Sequence, residues 1–239
     1  MGTAEKRTRR ARGSIDPEKI LDGAFEIAQR DGLDSLSMPV LAAQLDVGVT
    51  SIYWYFRNKE DLLRRMSERA LVGQHGQLPS PEGRAPERWK EFLREYFTAQ
   101  WQSHQSDDLL TDITLFRTAT YSRRATHVVY QDIEGILSYL VSAGFALSNA
   151  WYLVSTCSIY TRGFIIAERN RRQNLTPPDG RMQLNLLDVE SMPLLTQLVS
   201  EESVIIDMTG EPAFEFALEG ILDQAEHILG RDRGQVAAG

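Results

Sequence analysis

The sequence has a single cysteine, Cys157, among its 239 residues. One cysteine cannot form a disulfide within the chain, which favours a reducing compartment. No apolar run approaches the length of a membrane span, and the N-terminus lacks the apolar core of a secretory signal. These absences predict a cytoplasmic protein that has no membrane partner.

The residues that usually carry out catalysis are few and scattered. The chain has four histidines, and they lie far apart at His75, His104, His127 and His227. None of them is spaced with cysteine or acidic residues in the way that metal ligands or nucleophilic triads require. We therefore expect no enzyme, no metal and no cofactor.

Positive charge is also scarce, since the formal net charge is −7 at pH 7. The deficit is uneven: residues 1–71 carry 12 Lys and Arg against 11 Asp and Glu, whereas residues 72–239 carry 14 against 22. DNA binding needs locally positive surface and not a basic chain. Residues 1–15 form a basic arm that is expected to be disordered, and it either contacts DNA or is a solvated tail.

Helical periodicity runs through the chain, without the two-residue alternation of strands. Asp16 before Pro17 predicts a helix start, and Ser37 and Asn58 are candidate N-caps. Segment 74–86 holds two glycines and three prolines, so we expect a domain junction there. Helices are predicted over residues 16–31, 37–45, a short stretch ending near 56, 58–73, 86–104, 107–118, 125–143, 148–171, 189–202 and 211–229. The expected fold is all-α, with a small domain at 16–73 and a larger helical bundle at 74–239.

Two short helices joined by a tight turn, over residues 37–56, fit a helix-turn-helix whose second helix enters the major groove of DNA. Val49, Thr50 and Ser51 would face outward with Trp54, and a solvent-facing Trp is useful against a thymine methyl. The aromatic hydroxyls and a lysine at a helix N-terminus would contact phosphates. The alternative is a compact helical domain with incidental aromatic residues.

Residues 41–59, LAAQLDVGVTSIYWYFRNK, resemble the DNA-binding domain of the TetR family. The family pattern is matched in order by Ala42, Tyr53, Tyr55, Phe56, Asn58 and Lys59. The resemblance implies that Ser51 and Trp54 read bases, and that phosphates are held at the flanks. The implied DNA-binding set is Ser37, Val49, Thr50, Ser51, Tyr53, Trp54, Tyr55 and Lys59. The chain departs from the pattern at Asp46, where many members have glycine, and at Pro39, where the tetracycline repressors have a base-reading arginine.

The resemblance extends to the tetracycline-repressor branch of the family through WKEFLREY (89–96), SMPLL (191–195) and EPAFEFALEGIL (211–222). It implies a homodimer in which helices 148–171 and 211–229 form a four-helix bundle with the partner's pair. Apolar residues recur along one face of 211–229, and that stripe packs either on the partner or inside its own domain. The implied function is a repressor that binds a palindromic double-stranded DNA operator and is released by a small effector.

The expected effector site is less specific. His75 matches a histidine that contacts the drug in the tetracycline repressors, although a lone histidine is as often a surface residue. The metal-binding histidine of that branch has no counterpart here, so we expect a mostly apolar effector without a metal. The implied ligand-binding set is His75, Tyr96, Gln100, Phe116, Trp151, Cys157, Arg162 and Phe164. Each of the apolar members is as readily explained as plain core, and control by a protein partner, or by no effector, remains the alternative.

Overall fold

The computed structural model describes residues 15–116, 122–174, 187–200 and 209–237, and the side chains of 235–237 are outside the description. These ranges are helical and contain no strand, which confirms the all-α prediction. The helices are α1 (Pro17–Asp31), α2 (Met38–Gln44), α3 (Val49–Tyr53), α4 (Lys59–His75), α5 (Trp89–Ser106), α6 (Asp108–Thr111), α7 (Arg123–Ser142), α8 (Leu147–Asn174), α9 (Pro193–Ser200) and α10 (Glu211–Ala237). The basic arm at 1–14 lies outside the described residues. Among the described helices, none has a stretch apolar and long enough to span a bilayer.

The chain divides into two compact units. The first consists of Met1–Leu78 with Ser106–Asp132, and the second of Pro79–Gln105 with Ile133–Gly239. The sequence predicts a division after residue 73, with everything beyond it in one domain. The division observed here differs because the segment that contains α6 and the start of α7 packs with α4.

The first unit is built on α1 to α4, and local chemistry fixes where these helices begin. Asp16 accepts a hydrogen bond from Glu18 N at 2.7 Å, and Pro17 follows at the first helical position. Asn58 Oδ1 accepts from Asp61 N at 2.8 Å and caps α4. The core holds apolar side chains from every one of these helices: Ile20, Leu21, Ala24, Ile27, Leu36, Leu41, Ile52, Phe56, Leu62 and Met66.

The predicted helix at 107–118 is wrong in its form. Asp107 caps the four-residue α6, and a π-helical turn follows at Asp112–Phe116. The side-chain hydroxyls of Thr111 and Thr114 bond to carbonyls one turn back, and Ile113 is inserted into the core of the first unit. Residues 117–121 lie outside the described part of the chain.

The second unit is held together by aromatic side chains. Trp101 of α5 stacks on Phe214 of α10 at 4.6 Å between ring centroids, and Phe164 of α8 meets Phe214 at 5.2 Å. Trp89 packs edge-on against Phe145 at the other end of α5. The apolar stripe of α10 is buried inside its own unit at Phe214, Leu218, Leu222, Ala225 and Leu229. Packing within the domain therefore explains this stripe.

The last turns of α10 fasten the connection between α7 and α8. Asp232 accepts from Ala146 N and from Asn149 Nδ2, each at 2.9 Å, so a buried carboxylate stands at the positive end of α8. Arg233 donates to Ala143 O at 2.6 Å and supplies positive charge at the C-terminal end of α7. These contacts explain why α10 continues to Ala237 and does not end near residue 229 as predicted.

Two other helix boundaries differ from the prediction. Helix α8 continues to Asn174, past the predicted end at 171, and α9 begins at Pro193 and not at 189. Proline is favoured in the first turn of a helix because it has no N–H to leave unpaired. Residues 172–174, between the helices predicted at 148–171 and 189–202, belong to α8, and residues 175–186 lie outside the description.

Candidate nucleic-acid interface and effector residues

Helix α3 separates buried from exposed side chains sharply. Ile52 and Phe56 are buried in the core of the first unit, and they hold the helix in place. Between these two residues in the sequence, Tyr53 is 48% exposed, Trp54 is 85% exposed and Tyr55 is 43% exposed. Three consecutive aromatic residues at the end of a short helix thus project from a rigid support, which is the arrangement that a DNA-reading element requires.

The other residues of the predicted DNA-binding set lie on the same three-helix assembly. Thr50 is exposed, whereas Val49 and Ser51 are half-buried. Ser37 caps α2, since its Oγ accepts from Val40 N at 3.4 Å. Lys59 begins α4, and its Nζ donates to Leu33 O at 3.3 Å, which leaves further N–H donors for a phosphate.

The turn between α2 and α3 contains a residue in the left-handed region. Asp46 has φ of +53°, and it is the only non-glycine residue with positive φ in the described ranges. Aspartate tolerates this conformation better than most residues because its short side chain bonds locally. This explains how the turn is kept although the family's usual glycine is missing. The bond from Val47 N to Ala42 O, at 3.1 Å, closes the turn.

Several residues of the predicted effector set are core residues of the second unit. Tyr96 is buried between Phe92 and Phe97, and Phe164 lies against Trp101 at 6.1 Å between ring centroids. Cys157 is fully buried, and burial raises the pKa of its thiol to about 12. The thiol therefore stays protonated and packs as a small apolar group.

Polar groups accompany these aromatic residues along α5 and α8. Glu168 is buried, and its two carboxylate oxygens accept from Trp101 Nε1 at 2.9 Å and from Gln105 Nε2 at 3.1 Å. Gln100 Oε1 and Thr161 Oγ1 are buried and have no hydrogen-bond partner within the described part of the chain. A buried polar atom without a hydrogen bond is costly, and these two atoms lie on the same helices as the aromatic residues.

The remaining members of the predicted effector set are spread over both units. Trp151 and Arg162 are exposed residues of α8 in the second unit, whereas Phe116 is an exposed residue of the first. His75, at the end of α4, also belongs to the first unit, and its Nδ1 lies 2.8 Å from Asp132 Oδ2 of α7. Within the residues that the structure describes, no group of three His, Cys, Asp or Glu side chains is placed to hold a metal ion.

Comparison with known proteins adds to this geometry. A family described as "Bacterial regulatory proteins, tetR family" matches residues 20–66, the segment that holds the helix-turn-helix. The family described as "Tetracyclin repressor-like, C-terminal domain" matches residues 83–227, more than half of the chain. The chain belongs to the TetR family. It is a DNA-binding transcriptional regulator, and proteins of its family dimerise and bind small effectors.

Curated relatives agree with this assignment. An HTH-type transcriptional repressor of Mycobacterium tuberculosis is 37% identical over 240 residues, which cover 99% of this chain and 89% of that protein. The class D tetracycline repressor protein of Escherichia coli is 24% identical over 212 residues, covering 87% of this chain and 88% of that one. The resemblance to the tetracycline-repressor branch is therefore confirmed along most of the chain.

Solved structures share the fold. The TetR-family protein ActR of Streptomyces coelicolor, in complex with actinorhodin, superposes with a TM-score of 0.69 at 22% identity, covering 91% of this chain and 100% of that one. A TetR variant of Acinetobacter baumannii in complex with minocycline gives a TM-score of 0.59 at 22% identity, with coverages of 90% and 98%. At this identity the likeness concerns the architecture alone.

Two polar contacts of the structure are not predicted by the sequence. Asp132 is the partner of His75, and Glu168 is the partner of Trp101. The members of each pair are 57 and 67 residues apart in sequence. Glu168 could have been noticed, because an acidic residue on a mostly apolar helix face needs a partner. Nothing near Asp132 in the sequence distinguishes it from a solvated aspartate.

Proposed function

We propose that the helix-turn-helix of the first unit reads a palindromic operator, with α3 in the major groove. The 85% exposure of Trp54 carries this proposal, because a folded protein gains nothing from leaving so large an apolar side chain in water. Ser51 precedes it by one turn on the same helix, and Ser37, Tyr53 and Lys59 stand where they would hold the phosphates on either side. As a DNA-binding regulator and not an enzyme, the protein would act in the bacterial cytoplasm.

A selection experiment tests the proposal. The full-length protein is incubated with a library of random duplexes, and the retained DNA is sequenced after several rounds. We expect inverted repeats whose half-sites are centred about one helical turn, or a multiple of it, apart. Enrichment of unrelated sequences, or of single half-sites only, would contradict the proposal.

The homodimer is proposed to form through α8 and α10. Each of these helices has an exposed face without charged residues, and the face of α8 consists of Tyr152, Thr156, Ile159, Gly163 and Ala167. On α10 the corresponding exposed residues are Pro212, Phe216, Gly220 and Gln224, and Phe216 is 85% exposed. Three acidic residues of α10 bond to α5, where Arg94 pairs with Glu219 and Lys90 lies 2.5 Å from Asp223 and 3.0 Å from Glu226.

The glycines on these faces support close helix packing. A Cβ added at Gly163 or at Gly220 would meet nothing within 4 Å, so the space over both glycines is open in the single chain. Glycine inside a helix costs about 1 kcal/mol relative to alanine, and a closely approaching partner helix offsets that cost. An isologous four-helix bundle would cover both faces at once.

The dimer is tested with Phe216→Arg. The variant places a charge at the centre of the proposed contact, where no partner compensates it, and we expect monomers in analytical ultracentrifugation. Tyr130→Arg is the control, because Tyr130 is 67% exposed on α7 and outside the proposed contact. A dimeric Phe216→Arg protein would refute this arrangement, and a control that also dissociates would point to general loss of folding.

The effector is proposed to be a small, mostly apolar molecule that binds among α5 and α8 of the second unit. The solved structures named above contain actinorhodin and minocycline, so proteins with this fold accept such molecules. In this chain the unpartnered Gln100 Oε1 supports a ligand that carries a hydrogen-bond donor. The contact of His75 with Asp132 would couple α7 to α4, whose other end begins at Lys59.

A screen of apolar aromatic compounds by thermal shift identifies a probe, because a ligand that binds the native state raises the melting temperature. With that compound, Gln100→Ala should weaken the thermal shift. His75→Ala should leave operator affinity nearly unchanged but reduce release by the compound. Normal release from the His75→Ala protein would remove the α4–α7 contact from the coupling. No shift with any compound would favour control without a small effector.

A further inference from the structure

We propose that the helix-turn-helix recognises its operator through thymine methyl groups, which contact exposed apolar side chains of α2 and α3. The proposal rests on the operator binding proposed above and goes one step further, because it names the feature of the bases that is read. In the major groove each base pair presents a different set of hydrogen-bond donors, acceptors and methyl groups. The side chains that α2 and α3 expose decide which of these features can be recognised.

The two helices expose side chains that carry neither a charge nor an amide. On α2, on α3 and at the two positions after α3, the exposed residues are Pro39, Val40, Ala43, Thr50, Tyr53, Trp54 and Tyr55. All except Thr50 are apolar or aromatic, and the exposed fraction is 43% for Val40 and 85% for Trp54. Such a surface is suited to the C5-methyl of thymine, which is the apolar group that bases present in the major groove.

The residue types that read bases through paired hydrogen bonds are almost absent from this segment. Arginine and lysine bind guanine in this way, and asparagine and glutamine bind adenine. Residues 37–56, all within the described ranges, contain no Arg, Lys, His, Asn or Glu. Gln44 is held on α1, where its Nε2 donates to Glu26 Oε2 at 2.9 Å and its Oε1 accepts from Arg30 Nη2 at 3.3 Å. Asp46 lies in the turn between the helices.

The cations next to the helix-turn-helix lie at its flank. Arg57 is exposed and Lys59 begins α4, so both follow Phe56, which anchors the end of the motif in the core. Asn58, between them, caps α4 through its Oδ1. Positive charge beside a reading helix serves phosphate contacts, which fix the register of the protein and carry no sequence information. Discrimination between bases is therefore left to the exposed faces of α2 and α3.

Contact with a methyl group also suits these faces energetically. Covering a methyl with an exposed apolar side chain removes apolar surface of both partners from water, which improves affinity by about fourfold per methyl group. The hydroxyls of Thr50 and Ser51 can add hydrogen bonds, but a hydroxyl both donates and accepts and so discriminates weakly between bases. The thymine methyl is thus the feature by which this surface separates A·T from G·C pairs.

Chemically altered operators test the proposal with the full-length protein. In the operator recovered by selection, the thymidines of both half-sites are replaced by deoxyuridine, one symmetric pair at a time, so that only the methyl group is lost. We expect at least one pair whose replacement lowers affinity in anisotropy titrations by about 15-fold, because the dimer loses a contact worth about fourfold in each half-site. The same replacement outside the half-sites is the control and should leave affinity unchanged.

Two further duplexes separate methyl recognition from reading by hydrogen bonds. At the sensitive position, deoxycytidine in place of thymidine should weaken binding. Its 5-methyl derivative restores the methyl group and should recover about 15-fold in affinity. In the same half-sites, 7-deazaguanine removes the N7 acceptor of guanine and should cost less than about threefold, because no bidentate side chain reads it.

Arg57→Ala is the matched variant. It should weaken binding to every duplex by a similar factor, because a phosphate contact is lost, and should keep the affinity ratio between thymine and uracil operators. A uracil scan without a sensitive pair, no recovery with 5-methylcytosine, a larger loss with 7-deazaguanine than with uracil, or a changed ratio in Arg57→Ala would overturn the proposal. A selected operator with a flat uracil scan would overturn methyl recognition alone, whereas failure to select any operator would overturn the DNA-binding proposal as well.

Discussion

Trp54→Ala tests the reading helix most simply. The side chain is 85% exposed, so its removal should change the free energy of unfolding by less than about 0.5 kcal/mol. A tryptophan presents about 200 Å² of surface, and covering roughly half of it with DNA at about 25 cal/mol per Å² contributes about 2.5 kcal/mol per half-site. A base-edge contact is worth about 1–3 kcal/mol, so the two approaches agree.

A homodimer carries two copies of this contact. Two contacts of about 2.5 kcal/mol make about 5 kcal/mol, so the expected loss of operator affinity is about 10³- to 10⁴-fold, because each 1.4 kcal/mol is a factor of about ten. Fluorescence anisotropy with a labelled operator measures it, alongside melting temperatures of both proteins. Tyr130→Ala is the control, since Tyr130 is an exposed aromatic residue outside the proposed interface. A loss of less than about threefold in Trp54→Ala, with melting unchanged, would remove this residue from the reading surface.

Four further variants and measurements follow from the structure. Asp46→Gly should stabilise the protein by about 0.5–1 kcal/mol in urea titrations. The strain that an aspartate has at positive φ is removed, and this gain exceeds the conformational entropy that glycine loses on folding. A loss of stability would refute this. Asp232→Ala should cost about 2–4 kcal/mol, because the Ala146 N–H and the Asn149 side-chain amide at the start of α8 lose their charged acceptor. The exposed Asp223→Ala should leave the urea midpoint nearly unchanged, and similar midpoints for the two variants would contradict the capping role. Cys157 should react with a thiol reagent only on unfolding, since the pKa of its thiol is raised to about 12, and rapid labelling of the native protein would show that it is accessible. Burial and nearby positive charge lower the pKa of His104 from 6.5 to about 4. Between these two pH values the unfolded chain binds more protons than the folded protein, so about 3 kcal/mol of stability should be lost as the pH falls from 6.5 to 4. A His104→Asn protein with the same pH dependence of stability as the wild type would exclude this histidine as the cause.

Features that depend on neighbouring residues could be predicted from the sequence. The caps at Ser37 and Asn58 require only a side chain and the amides two or three positions further on, and both are present. The end of α10 depends on contacts 83–90 residues away, where Asp232 and Arg233 meet the turn between α7 and α8. No local pattern contains that information, and α10 was accordingly predicted too short.

The DNA-binding residues and the effector residues differ in how well the sequence predicts them. Trp54 could be recognised because an aromatic residue on the outer face of a short motif is visible in the sequence. The predicted effector residues rest on the resemblance, as for His75, and on aromatic and polar residues of the central helices, and neither criterion separates a cavity wall from packed core. Phe164 proved to be packed in an aromatic core, and Trp151 proved to be exposed. Phe216 is not predicted, because it lies outside the apolar stripe of α10, which packs inside its own unit.

Changing the spacing of the selected operator tests the central claim most directly. Two α3 helices of one dimer should read half-sites that lie on the same face of the DNA, so inserting five base pairs, about half a helical turn, turns the half-sites to opposite faces. Anisotropy titrations compare this duplex with the original and with a ten-base-pair insertion. The account predicts that affinity for the five-base-pair insertion falls to the level of a duplex with a single half-site. Undiminished affinity for that duplex would contradict recognition of a palindrome by a symmetric dimer.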